Sequence, residues 1–242
     1  MLEKDDMLEK KNSKQNILFL VSVLYIFLGY FTLASSNELS SQLFGEDQFF
    51  ENIGVIGFFL TSVVFLYGLV RTQNKPAFNV FYHRLRMLLL LGFALLFFFG
   101  AGEEISWGQR IFNLTTPETL EAINAQGELN VHNINIFEYT IRFEFLFDVL
   151  WAGLTLLLPL AVMLFPPIKE FIRKFFAAPH IGVGVLFLLN YVFAKAAFIL
   201  FEISYKYDQI AIAQAIQEIK ESNYAVFFIL AALSIVKNIL SD

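Results

Sequence analysis

The chain has 242 residues, of which 57% are apolar and only 16% charged, with 30 phenylalanines and no cysteine. Soluble domains carry about a quarter charged residues, so a mean hydropathy of +0.61 argues against a water-exposed globule. The mild net charge of -5 and the scattered basic residues leave no electrostatic footprint for nucleic acid. The missing thiols exclude disulfides, thiolate metal sites and cysteine nucleophiles.

The apolar residues fall into six long runs, 17–33, 53–70, 85–101, 145–165, 181–201 and 225–240, as bilayer-spanning helices do. They predict an all-α, polytopic transmembrane helical bundle formed by a single domain, 1–242. A β-barrel would show alternating strands of about ten residues instead. Several runs fall short of the roughly 20 residues needed to span, a shortfall that tilt, local thinning or interfacial residues absorb. The first run follows Lys10, Lys11 and Lys14 and ends at Ala34-Ser35-Ser36. It is longer than a signal-peptide core of about 7–15 residues and reads as an uncleaved span.

With the N-terminus inside, the inner segments hold Lys4, Lys10, Lys11, Lys14, Arg71, Lys75, Arg84, Arg86, Lys169, Arg173, Lys174 and Lys237. The outer segments hold only Arg110, Arg142, Lys206 and Lys220, and Lys195 falls within a span. This bias predicts an N-in, C-in topology. Membrane lipids are then the expected partners; protein partners and homo-oligomerisation are left open.

In chain order, the first outer loop carries Glu38, Glu46 and Asp47 and no basic residue. The third span ends in Gly102-Glu103-Glu104-Ile105-Ser106-Trp107-Gly108-Gln109-Arg110. If the helix continues through it, Glu103, Trp107 and Arg110 share one face, while Glu104 points about 100° away. Two acids directly after an apolar run are costly against lipid and are expected to face the bundle. The competing reading is an interfacial cap, with Trp107 in the aromatic belt. In the long outer loop 102–144, Thr115-Thr116-Pro117-Glu118 reads as a capping box. It should start a short helix running to about Gln126, with Gly127 as its stop. His132 follows, among Asn130, Asn133 and Asn135. Close to carboxylates, it is a candidate acid, base or metal ligand.

Asp148 lies about one turn into the fourth span and Lys195 about two turns in from the outer end of the fifth. Both sit roughly 5–9 Å below the outer boundary by helical rise. An unpaired charge at that depth is expensive, so they are expected to form a buried ion pair or each to bind another polar group. In the third outer loop, Ile212, Ile216 and Ile219 recur at helical spacing and predict an amphipathic helix along the outer interface.

No glycine-rich phosphate loop, HExxH, GxSxG or HxxxxD is present. One histidine per face cannot build a multi-histidine zinc site, and an outer metal would need mainly carboxylates. Whether a metal or cofactor binds, and whether the protein is an enzyme, is not set by the sequence.

The segments GEEISWGQRIFN and TPETLEAINAQGELNVHNI, with Glu221-Ser222-Asn223 at the start of the last run, resemble a family of uncharacterised multi-pass bacterial inner-membrane proteins. The resemblance implies a bacterial inner-membrane location. It marks Glu103, Glu104, Trp107, Arg110, Glu128, His132 and Asn133 as motif positions and brings no activity.

The first functional expectation is a polar, acidic site at the periplasmic end that binds or processes a lipid or lipid-linked substrate. Glu103, Glu104 and His132 are its candidate catalytic groups, and Trp107, Arg110 and Asn133 its candidate binding groups. An ion or proton pathway would need polar residues through the inner halves of the spans, which are nearly all apolar apart from Asn190 and Thr155. A structural or assembly protein is the third reading.

Overall fold

The computed structural model describes residues 2–34, 39, 42–44, 48–74, 78–109, 111–124, 127–131, 134–136, 139–140, 143–204 and 209–241. The helices, in chain order, are α1 (Leu2–Phe31), α2 (Phe49–Thr72), α3 (Val80–Glu104), the one-turn α4 (Glu118–Glu121), α5 (Phe143–Trp151), α6 (Leu158–Leu164), α7 (Pro166–Arg173), α8 (Ile181–Ser204) and α9 (Gln209–Ser241). A two-residue hairpin, β1 (Asn135–Ile136) with β2 (Tyr139–Thr140), lies between α4 and α5. Six segments are long and apolar enough to cross a membrane: Ile17–Ala34, Phe49–Thr72, Val80–Glu104, Phe145–Leu164, Ile181–Leu200 and Ile212–Ser241. The chain is a multi-pass, all-α membrane protein.

The last helix departs from expectation. In place of a span at 225–240 preceded by a separate interfacial helix, α9 runs unbroken for 33 residues. No glycine or proline interrupts it, and the isoleucine stripe faces the bundle, with Ile216 and Ile219 buried. At 1.5 Å per residue it is about 50 Å long, against a hydrocarbon layer of about 30 Å, so it outruns that layer. Lys220, expected in an outer loop, is therefore a buried residue of the central helix.

Close approach around α9 is set by small residues, as is usual where lipid supplies no hydrophobic drive between helices. A Cβ on Gly57 would lie 2.7 Å from the Ala225 Cβ, and one on Gly68 2.7 Å from a Val236 methyl. These two contacts make α2 and α9 parallel. The span formed by α5 and α6 contains a π-helical turn, Ala152–Leu157. Pro159 lacks the N–H that would bond the Thr155 carbonyl, and a Cβ on Gly184 of α8 would collide with that same carbonyl.

The core is aromatic. Phe228 packs against Phe97 and Phe187 at ring-centroid distances of 4.7 and 4.8 Å, and Trp151 stacks on Phe187 at 5.5 Å. Leu88, Leu95, Phe98 and their like are left on the outside, where lipid is their natural solvent. α3 ends, and α2 and α9 begin, at the same end of the bundle, called the motif end below.

Candidate functional site

The helix does not continue through the acidic motif. α3 stops at Glu104, and Ser106, Trp107 and Gly108 take left-handed φ values of 46°, 53° and 75°. The one-face arrangement of Glu103, Trp107 and Arg110 is thus not made by helical offset. Trp107 instead folds back: its indole N–H donates to Glu103 Oε1 at 2.6 Å, and its ring meets Phe99 edge-on at 5.4 Å. Gly102 makes this fold possible, since a Cβ there would stand 2.8 Å from the ring. Gly102→Ala should therefore expel the indole, at the cost of about 1–3 kcal/mol typical of overpacking. In a Trp151→Phe background, which leaves Trp107 as the only tryptophan, a red-shifted emission would report it.

Glu103 is buried, and its second oxygen, Oε2, accepts the Val131 N–H at 2.7 Å. One carboxylate thus ties together both ends of the 107–131 segment. Beside it, Ser106 Oγ donates to Glu128 Oε2 at 2.6 Å, and Asn130 Nδ2 donates to the same oxygen at 2.8 Å. Asn124 Nδ2 donates to both the carbonyl and Oδ1 of Asn130 at 2.9 Å, while Asn124 Oδ1 accepts the Glu128 N–H at 3.2 Å. Gln109 Nε2 donates to Thr116 Oγ1 at 2.8 Å, which donates on to the Gly127 carbonyl at 2.7 Å; Gln109 Oε1 accepts the Leu129 N–H at 2.6 Å.

Thr116 is therefore spent across the loop and does not cap. Pro117 is the N-cap with no side-chain bond, and the helix expected to reach Gln126 ends at Glu121. Gly127 does take a left-handed turn, φ 69°. The polar residues of the motif are largely used on one another, and they hold the loop against the end of α3.

Glu104 points elsewhere. It is half-buried between α2 and α9, with Oε2 3.7 Å from where a Gly54 Cβ would stand. Glu51 opens α2, and Glu218 and Glu221 lie in the part of α9 at this same end of the bundle. Among the described residues no hydrogen bond to the Glu104 carboxyl is present, in contrast with those that hold the Glu103 carboxyl. Glu51 and Glu218 escape a reading of the sequence because one opens a span and the other hides in what looks like an interfacial helix. Among the described residues, no group of three or more histidines, aspartates or glutamates converges as metal ligands would.

Arg110, His132 and Asn133 lie outside the described residues. Asp148 and Lys195 do not form the expected buried ion pair among the described residues. Asp148 Oδ1 instead accepts from Trp151 Nε1 at 2.9 Å and from the Tyr224 hydroxyl at 3.2 Å. Lys195 is exposed on α8, its ammonium 5.5 Å from the Tyr191 ring centroid. Indole and phenol donors satisfy the acid without a second charge, and an outward-facing lysine near a helix end can snorkel to water.

A second polar node lies deeper. The Tyr30 hydroxyl donates to Asn190 Oδ1 at 3.0 Å, Asn223 Nδ2 donates to the same oxygen at 2.7 Å, and Asn190 Nδ2 donates to the Lys220 carbonyl at 3.0 Å. These bonds join α1, α8 and α9, and Asn190 and Asn223 are fully buried. Asn223 Oδ1 has no hydrogen-bond partner.

Compared with family models, with curated proteins and with solved structures, the chain finds no match.

Proposed function

We propose that the motif end binds a lipid or lipid-linked molecule, with Glu104 as the group that meets its polar end. The single observation that carries this is the division of labour between adjacent acids. Glu103 is consumed by loop hydrogen bonds, whereas the half-buried Glu104 carboxyl accepts none among the described residues. A carboxyl group placed this way can accept a hydrogen bond from an ammonium donor, so an amine-bearing headgroup is the ligand that suits it.

The cationic loops of the opposite end support a periplasmic position for the motif end by the positive-inside rule. The motif resemblance supports placement in a bacterial inner membrane. No catalytic step is assigned: the Ser106–Glu128 hydrogen bond is part of the network that holds the loop.

The test is binding of a short-chain amine-headed phospholipid to the purified full chain, against the same lipid with a glycerol headgroup. Preference for the amine, weakened about tenfold (about 1.4 kcal/mol) in Glu104→Gln and kept in Lys195→Gln, is the expected result. Equal binding of both lipids, or an unaffected Glu104→Gln protein, overturns the reading.

An ion or proton pathway is the rival, favoured by the node in which Asn190 bonds to Tyr30 and Asn223 within the bundle. Conductance or proton flux in liposomes, abolished by Asn190→Leu, would select it.

A further inference from the structure

The short excursion just beyond the left-handed turn carries three exposed apolar side chains beside the exposed Asn113. Ile111, Phe112 and Leu114 are 73%, 71% and 48% exposed. Isolated exposed apolar residues are ordinary; three within four consecutive positions, at the tip of a closed excursion, are not. The excursion is closed at its base by the Gln109–Thr116 hydrogen bond of 2.8 Å, so its tip is presented by a fixed frame. Two further bonds shape it, from the Phe112 N–H to the Gly108 carbonyl at 2.9 Å and from the Leu114 N–H to the Gln109 carbonyl at 2.8 Å. Gly108, at φ 75°, leaves space for the Phe112 ring, which a Cβ would meet at 2.9 Å.

What covers this tip follows from where the chain leaves the bundle. Leu88, Leu91, Leu95, Phe98 and Phe99 are all exposed and recur at helical spacing, so they form the lipid-facing stripe of α3. The next position on that stripe is Gly102, and it is covered by the Trp107 ring, which also touches Phe99. Trp107 thus extends the stripe past the end of the helix, and its polar N–H is tied inward to Glu103. Tryptophan is the residue that marks the headgroup level of a bilayer. The excursion leaves directly from that point.

We propose that residues 111–114 are a membrane-inserting tip that buries Ile111, Phe112 and Leu114 in the headgroup–acyl boundary of the leaflet at the motif end. The occupant of this face is lipid, because the tip begins four residues after Trp107, whose ring packs on the lipid-facing stripe of α3. The depth appropriate to such an interfacial element is about 5–10 Å. The tip anchors the motif loop at a fixed height over the end of the bundle, and this holds whether or not Glu104 binds a ligand.

The chain contains no cysteine, so single-site spin labels can be placed without other changes. Ile111→Cys, Phe112→Cys and Leu114→Cys would be labelled in the full chain, reconstituted in phosphatidylcholine–phosphatidylglycerol vesicles. Leu95→Cys serves as the lipid reference and Thr119→Cys, exposed on α4, as the water reference. The expected result is a ratio of oxygen to nickel-chelate accessibility at 111 and 112 several-fold above that at 119 and approaching that at 95. A ratio equal to that at 119 overturns the proposal. So does protection from both reagents combined with rapid disulfide-linked dimerisation of unlabelled Phe112→Cys, which would make a second copy the occupant. The three substituted side chains are outward-facing and read independently, so failure of one variant to fold leaves the others to decide.

Discussion

Asn190→Ala should destabilise the bundle by about 2–4 kcal/mol, a large effect for a single neutral side chain. The alanine would remove three hydrogen bonds at once, those with Tyr30, Asn223 and the Lys220 carbonyl. Hydrogen bonds between membrane helices average about 0.6 kcal/mol with a maximum near 1.7, but a polar group orphaned in a dry interior costs about 1–3 kcal/mol. The amide orientations reinforce the point. The Lys220 carbonyl can only accept, so it fixes Asn190 Nδ2 toward itself and Oδ1 toward Asn223. Asn223 must then offer its Nδ2, which leaves Asn223 Oδ1 as the unpartnered atom. The node is therefore one unit, and the triple variant Tyr30→Phe, Asn190→Leu, Asn223→Leu should cost less than Asn190→Ala alone, because it leaves fewer orphans. Reversible unfolding of the reconstituted chain measures both. A triple variant that is much worse than the single one would show that the asparagines act through shape and not through hydrogen bonding.

Six spans were legible because an apolar run of bilayer length has few other meanings. Their boundaries were less so. The start of α9 hides behind Gln217, Glu218, Lys220 and Glu221, which read as interfacial because polarity along one helix cannot show that its neighbours supply a polar end to the bundle. The stop of α3 was hidden for the opposite reason. Glu103 and Glu104 are good helix formers that argue for continuing the helix, and only Gly108 hints at the left-handed residues that follow. Ser106 and Trp107 adopt positive φ, which a non-glycine residue accepts only when tertiary bonds over-determine it.

The acidic motif lies where α3 stops, but its internal chemistry was not readable. Adjacency suggested two acids with a shared role. Partners 20 to 28 residues away, such as Leu129 for Gln109 and Val131 for Glu103, divide that role instead. Asp148 and Lys195 illustrate the same limit. Depth along a helix follows from the sequence, whereas rotation about its axis depends on packing, and rotation is what turns Lys195 outward.

Glu103 and Glu104 should consequently respond oppositely to substitution. Glu103→Ala removes the acceptor of at least two hydrogen bonds, and each buried donor left unsatisfied costs about 1–3 kcal/mol. A loss of about 3 kcal/mol in loop closure corresponds to roughly 100-fold faster exchange at the Val131 amide, which donates directly to the missing oxygen. Glu103→Gln should rescue little. Two N–H donors converge on the carboxylate, one from Trp107 and one from Val131, and an amide presents one oxygen and one further donor, so one of the two must face N–H against N–H. Glu104→Ala should leave Val131 exchange within a few-fold of the parent, because Glu104 takes no part in the bonds that hold the loop. Hydrogen exchange read at Val131 and at the neighbouring Leu129 separates the cases. Equal acceleration in both alanine variants would mean that the two acids share one structural task. Glu104 would then lose its claim to be the acid left available for a ligand, and the lipid-binding proposal would fall with it.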